Sequence, residues 1–295
     1  MLRRSPIIVA NSRGRLQVIA TPIGNLDDLS ARAREALESA DVIAAEDTRH
    51  TLVLLQSIGV SRPLVSLHAH NERQRVPELL ARLEAGETVA LVSDAGTPLL
   101  SDPGFDLVRE AARAGHDVYA IPGPSAITAA LAVAGLPTSR FCFEGFLPAR
   151  DSERRSKLAQ LAGETRTLVF FEAPHRIAQM LADLVAEFGA DRRAVVAREM
   201  TKTHETVYRG TLGELVARAR DEPNFQRGEI TIVVEGRAEV DTEVDTRLLH
   251  LAVELLSKEL PAGRAASIAA KLTGAKRSEV YALLTRESEA RRDEH

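Results

Sequence analysis

The chain has 295 residues, 44% hydrophobic and 27% charged, which supplies the apolar material for a sizeable core in about two domains. A formal charge of −4 excludes a global attraction to nucleic acid or to an anionic membrane, so any RNA contact must come from local patches. One cysteine, Cys142, excludes an internal disulfide and a multi-cysteine zinc site, and the lack of tryptophan with only 4% aromatic residues excludes a broad base-stacking platform.

The single cysteine fits a reducing cytosol. The apolar run Ile7–Ala10 behind Arg3 and Arg4 is too short for a secretory signal, and no run approaches a membrane span. The chain therefore reads as cytoplasmic, with residues 1–14 as a loose tail.

From residue 15 onward, strand-like runs alternate with helical patterns. The runs are Leu16–Thr21, Asp41–Asp47, Leu64–Leu67, Thr88–Asp94 and Asp117–Pro122. Between two of them Val76, Leu79, Leu80 and Leu83 recur at helical spacing. This order predicts an α/β lobe over 15–122, a mainly parallel sheet with helices on both faces. A second α/β lobe is expected over 123–237. Helix 124–135 is followed by strand Phe141–Phe146, a charged helix near 151–162, strand Thr167–Glu172 and a helix carrying Ile177, Met180, Leu181, Leu184, Val185 and Phe188. Arg193–Met200 and His204–Gly210 read as an antiparallel hairpin and Gly228–Glu235 as a last strand, so this sheet is expected to be mixed. Residues 237–245 are polar and acidic, a linker pattern. Beyond it, 238–295 holds a helical module in which Leu248–Leu260, Ala265–Leu272 and Ser278–Leu284 are the helices. The Gly-containing turn between the last two gives a helix-turn-helix signal.

Ligands of such sheets bind outside the carboxyl ends of the strands. Two loops there stand out, Thr21–Asp28 (TPIGNLDD) and Ser93–Gly104 (SDAGTPLLSDPG). The first lacks the G-x-G-x-x-G dinucleotide fingerprint, and no Walker A loop is present. Asp27, Asp28 or Ser30 can cap the helix that follows. The second is long for a strand-to-helix connection and carries two carboxylates. Asp102 is expected to cap a helix starting near Pro103, leaving Asp94 nearer a ligand. In Ile121–Ala126 (IPGPSA) the Ser125 and Ala126 N–H groups fall in a first helical turn, where they lack helical partners. Read singly, each loop is also an ordinary turn or helix start.

Ala45–Thr51 (AEDTRHT) sets Glu46, Asp47, Arg49 and His50 at a strand end, enough ionisable groups for a general base or a polar grip. The plainer reading is an Asp47–Arg49 pair with Thr48 capping. Phe171–Arg176 and Arg198–Lys202 are similar clusters. His68 and His70 form an H-x-H without an evident third ligand, so no metal is expected. Cys142, between Phe141 and Phe143, reads as core.

Together TPIGNLDD, AEDTRHT, SDAGTPLLSDPG, IPGPSAITAAL, FFEAPHRI, REMTKTHE and GEITIVVEG, in this order over residues 16–236, resemble the tetrapyrrole-methylase superfamily. Within it the chain is similar to the branch that methylates the ribose 2′-oxygen of a cytidine in the decoding region of 16S ribosomal RNA. The resemblance implies S-adenosylmethionine held between two α/β lobes, in a homodimer acting on the small ribosomal subunit. By position it places Pro22, Gly24, Asp94, Gly96, Thr97, Pro98, Ser125 and Ala126 beside the cofactor, with Phe171, Glu172 and Thr231 at its adenosine end. A ribose hydroxyl is a poor nucleophile, so a base is expected among Glu46, Asp47 and Lys202. Arg49 and Arg198 would grip phosphate or ribose, and Arg150, Arg154, Arg155 and Lys157 would form an RNA-contacting patch. The alternatives are a methyltransferase of the same fold acting on a tetrapyrrole or a protein, and a non-catalytic RNA-binding assembly factor.

Overall fold

The alternation of apolar runs and helical stripes is realised as two sheets in one compact unit that ends at Arg237, followed by a second unit from Ala238. The computed structural model describes residues 14–238 and 246–293; the expected tail, apart from Gly14, and linker residues 239–245 lie outside the described residues.

The first sheet contains β1 (Arg15–Ile19), β2 (Val42–Ala45), β3 (Leu64–Ser66), β4 (Thr88–Val92) and β5 (Asp117–Ile121). It is ordered β3-β2-β4-β1-β5 with every pair parallel. The helices between these strands are α1 (Ala31–Ser39), α2 (Thr48–Ser57), α3 (Glu72–Glu84) and α4 (Phe105–Arg113). Strands β2 and β4 are buried along their whole length, as a sheet covered on both faces requires. Ala33 and Leu37 of α1 and Leu55 of α2 pack on one face with Ile19, Ile43 and Ala90. Leu79 and Leu83 of α3 and Leu107 of α4 pack on the other with Leu16, Val89 and Leu91. The neighbouring strands β1 and β4 thus send their helices to opposite faces, which opens a crevice at their carboxyl ends.

The second sheet is mixed, in the order β6-β7-β10-β8-β9. Its chain path is α5 (Ala126–Ala134), β6 (Phe141–Phe146), α6 (Asp151–Leu161), β7 (Thr167–Glu172), α7 (Ile177–Phe188), β8 (Arg193–Arg198), β9 (Thr206–Thr211), α8 (Leu212–Asp221) and β10 (Ile230–Val234). β6 and β7 are parallel; the other pairs, including the β8–β9 hairpin, are antiparallel. Side chains alternate across the sheet. Leu168 and Phe170 of β7 meet α7 and α8, while Val169 and Phe171 face α5. Ile23, from the loop after β1, joins that second cluster and ties the two lobes together. Cys142 is half-buried against the first, and burial raises its thiol pKa.

Beyond residue 245 lie α9 (Thr246–Glu259), α10 (Ala262–Thr273) and α11 (Arg277–Asp293). Ala265, Ala266 and Ala269 of α10 pack with Val253, Val280 and Leu284; their small side chains let the three helices approach closely. Gly274, at φ +74, ends α10 in the left-handed conformation that favours glycine and makes the turn into α11.

Three capping expectations resolve differently. Ser30 caps α1, its Oγ accepting from Ala33 N at 3.1 Å. Asp47, not Thr48, caps α2. Asp102 does not cap α4, which begins at Phe105 after Gly104 at φ +115. Glu72 takes that role from α3: its Oε1 accepts from Gly104 N (3.1 Å), Asp106 N (2.8 Å) and Leu107 N (3.4 Å). A carboxylate at a helix start satisfies orphan N–H groups and meets the positive end of the dipole. Glu72→Ala should therefore cost about 1–2 kcal/mol in urea unfolding, with faster amide exchange at Gly104–Leu107 than elsewhere in α4.

Candidate functional site

The crevice between β1 and β4 is floored by a two-residue ladder. Thr21 N donates to Gly96 O at 2.9 Å, Gly96 N donates back to Thr21 O at 3.0 Å, and Thr21 Oγ1 donates to Ser93 O at 3.4 Å. Gly96 stands at φ +80, and a Cβ there would lie 3.3 Å from Ile23 Cγ2, so both conformation and space call for glycine. Thr97 Oγ1 donates to Pro124 O at 3.2 Å and draws the start of α5 to the same point. Leu99 and Ser101, further along this loop, hold φ values of +73° and +75°, strain of the kind that collects at functional sites.

Above this floor is a cavity of about 450 Å³. The first lobe lines it with Glu46, Asp94–Thr97 and Leu100–Asp102, and the start of α5 adds Ser125–Ile127. The second lobe supplies Phe146, Phe171–Pro174, Met200 and Gly228–Thr231. Of the residues expected beside a cofactor, Asp94, Gly96, Thr97, Ser125, Ala126, Phe171, Glu172 and Thr231 are in the lining, whereas Pro22, Gly24 and Pro98 stand outside it. Glu172 contributes main chain: its side chain has no exposed surface and meets Arg176 Nε at 3.2 Å and Ala173 N at 2.8 Å. No side chain caps α5, so its first-turn N–H groups remain available to a ligand beside Ser125 and Ala126.

Among the described residues the lining carries Glu46, Asp94, Asp102, Glu172 and Glu229 but no Lys, Arg or His. Asp94 Oδ1 accepts from Asp47 N at 2.9 Å, and its Oδ2 meets His50 Nδ1 at 3.2 Å. Burial pushes Glu46 above the ordinary carboxylate value, helped by the charges of Asp94 and Asp47. Burial likewise pushes Asp102 up to about 6, against a hydrogen bond from Ser93 and with the charges of Glu46 and Asp94 adding to the rise. Such a wall favours a cation, while Ile23, Leu100, Phe146, Phe171 and Met200 offer apolar surface beside it.

The three candidate bases separate clearly. Glu46 lines the cavity, and its Oε2 accepts from Asp94 N at 3.4 Å. Asp47 is occupied as the α2 cap and as a two-oxygen partner of Arg49, whose hydrogen bonds hold it well below the usual carboxylate range. Lys202 Nζ sits 3.0 Å from Glu199 and 3.1 Å from Glu229; burial opposes its charge, but the two carboxylates outweigh that and raise its pKa. Asp47 and Lys202 are thus poorly suited to take a proton.

The basic grips need correction. Arg154 is buried on the inner face of α6, with Asp183 at 2.7 Å, Asp151 at 2.5 Å and the Ala149 carbonyl as partners. Arg198 is buried too and donates to His204 O, Thr206 Oγ1 and Arg227 O. Neither presents its charge to a substrate. Arg150, Arg155 and Lys157 are exposed, but Glu153, Glu187 and Glu144 pair with them. Arg49 is the most open grip, with 87% of its side chain exposed while still bonded to Asp47. The sequence offers Asp102, like Asp94, as a carboxylate that can accept from a ligand but favours it as a helix cap, and it does not single out Glu229. Asp102 was hidden by the proline after it, which mimics a helix start; Glu229 gave only the signal of a charge at a strand entrance.

A family model described as Tetrapyrrole (Corrin/Porphyrin) Methylases matches residues 15–216, and one described as RsmI C-terminal HTH domain matches 239–287. A Ribosomal RNA small subunit methyltransferase I from Xylella fastidiosa (strain Temecula1) is 53% identical, over 91% of this chain and 98% of the relative. The protein of that name from Escherichia coli O157:H7 is 47% identical, over 92% and 94%. A crystal structure of diphthine synthase superposes with a TM-score of 0.56 at 20% identity, over 75% of this chain and 90% of that one, a likeness of fold.

The Asp102 environment can be read directly. Carbon-detected NMR of its carboxyl should show a midpoint near pH 6. Ser93→Ala, by removing the hydroxyl that favours the charged form, should move the midpoint higher, and an unchanged midpoint would count against that influence.

Proposed function

Because the chain belongs to the tetrapyrrole (corrin/porphyrin) methylase family, and within it to the ribosomal RNA small subunit methyltransferase I branch, we propose that it methylates the ribose 2′-oxygen of a cytidine in the decoding region of 16S ribosomal RNA. The methyl donor in this reading is S-adenosylmethionine, bound in the cavity between the lobes. The observation that carries it is the lining, which among the described residues holds carboxylates and no Lys, Arg or His and so suits a ligand bearing positive charge.

When bound, S-adenosylmethionine supplies a methyl carbon made electrophilic by its sulfonium. Asp94 and Asp102, in the first-lobe lining, would hold that charge. The N–H groups at the start of α5 suit a carboxylate, as helix N-termini do. Thr231 and Phe171 bound the adenosine end. The acidic wall repels phosphate, so the RNA presents a ribose to the cavity and keeps its backbone outside, within reach of Arg49. Glu46, in the cavity lining, would take the hydroxyl proton as the ribose oxygen bonds to the methyl carbon and the carbon–sulfur bond breaks. Alignment of the reacting atoms contributes on the order of 7–11 kcal/mol, and the base a further ~10²–10⁴-fold. Homodimerisation and a cytoplasmic location belong to the same reading, and among the described residues no helix is long and apolar enough to cross a membrane. A tetrapyrrole or protein substrate is less well supported, since the relatives of about half identity carry the ribosomal RNA name.

Two measurements test this. In calorimetry, S-adenosylmethionine should bind fully above pH 7 and lose affinity as the pH falls through about 6, up to tenfold per pH unit, because Asp102 is ionised above its raised pKa and neutral below it. Asp102→Asn should bind about 10–100-fold more weakly and lose this pH dependence. If neither the free protein nor its mixture with small subunits binds the donor, the reading fails. In methylation assays on unmodified small subunits, Glu46→Gln should lower kcat by ~10²–10⁴-fold with donor affinity within about threefold; full activity would remove Glu46 from the mechanism.

A further inference from the structure

Beside the cavity, the loop after β1 meets the β8–β9 turn of the second lobe. The stem of Lys202 crosses Gly24 so closely that a Cβ on Gly24 would lie 2.3 Å from Lys202 Cγ and 2.9 Å from Cε. Gly24 does not have a positive φ, so an alanine there meets no backbone strain. The three atoms nearest to such a Cβ all belong to this side chain. The far end of the stem is fixed by Glu199 Oε1 at 3.0 Å and Glu229 Oε1 at 3.1 Å. Glu199 in turn accepts from Glu229 N at 2.8 Å and covers Gly228, where a Cβ would lie 2.3 Å from its carboxyl carbon. The turn carrying these residues is strained, with Glu199 at φ +53 and Thr201 at +66, and Thr201 N donates to Glu205 Oε2 at 2.6 Å. Met200, Gly228 and Glu229, threaded through this knot, line the cavity.

We propose that Lys202 is a positioning residue, a latch whose tethered stem on Gly24 locks the β8–β9 turn of the second lobe to the β1 loop of the first and so sets affinity for the methyl donor. This rests on the reading of the cavity as the donor site. Two independent features demand it: glycine at 24 leaves room for the stem, and the two carboxylates prevent the stem from moving aside. A lysine acting as base would need a free, weakly held amine; this one is doubly paired.

The test is a double-mutant cycle on the full chain, with S-adenosylmethionine as titrant and melting temperature recorded for each protein. Gly24→Ala should weaken binding about tenfold beside Lys202, but less than about twofold in the Lys202→Ala background, where the nearest atoms opposing the added methyl are gone. Equal effects of Gly24→Ala in both backgrounds would overturn the latch. Lys202→Met, which frees the end of the stem, takes the place of Lys202→Ala if that variant fails to fold. Lys202→Arg should keep kcat and donor KM within about threefold. A loss of kcat of a hundredfold or more in both Lys202→Arg and Lys202→Ala, with donor affinity intact, would instead make the residue catalytic and sink the proposal. Hydrogen exchange on the donor-free protein separates this idea from the functional reading. Lys202→Ala should speed exchange at 199–205 and 228–230 together with 21–25, and unaltered protection there refutes the latch whatever the protein binds.

Discussion

The pair of hydrogen bonds between Thr21 and Gly96 is the constraint on which the site depends. The sheet topology sends the chain from β1 to one face and from β4 to the other, and such a divergence leaves a crevice by default. The ladder turns that opening into a floored cavity. It fixes one end of the long β4–α4 loop, and Glu72, beneath the start of α4, fixes the other. A loop held at both ends can sustain left-handed backbone at Leu99 and Ser101 and keep two carboxylates facing the same space.

Charges are used in two ways. Inside the second lobe they are paired: Arg154 with Asp183 and Asp151, Arg176 with Glu172, Lys202 with Glu199 and Glu229. These contacts hold the β6–α6 connection, the β7–α7 loop and the β8–β9 turn, of which the last two supply Phe171–Pro174 and Met200 to the cavity. Around the cavity itself Glu46 and Asp102 have no Lys or Arg partner among the described residues, and burial lifts both above the ordinary carboxylate value. Unpaired buried charge opposes folding, so its retention at one wall of a cleft marks a site shaped for a ligand rather than for stability.

The periodicity of the sequence carried the architecture because burial on one or two faces leaves a repeating mark. The parallel first sheet, the mixed second sheet and the β8–β9 hairpin follow the expected order, with ends shifted by a few residues. Two things left no such mark. Partner choice depends on distant residues: nothing near Asp102 reveals that Glu72, thirty residues earlier, takes over the helix start. Side-chain direction was misjudged where basic residues cluster. Arg154 shares a helical face with buried Leu158, and Arg198 ends a strand whose neighbours are buried, so both point inward. The i,i+4 stripe through Arg154 and Leu158 was legible in principle, but the run of charges around it masked it. Helix α8, with its Thr211–Glu214 capping box, is the converse case: a local signature present in the sequence and not singled out there.

The acidic lining also bears on what happens after a methyl group leaves. Transfer removes the sulfonium charge, so a donor and its demethylated product of nearly the same shape differ in the one property to which this wall responds. A cavity bearing Glu46, Asp94 and Asp102 holds the charged molecule better than the neutral one. On the proposed reading, the same carboxylates that select the fresh donor lower the retention of the spent one, and turnover is favoured by electrostatics without a moving part.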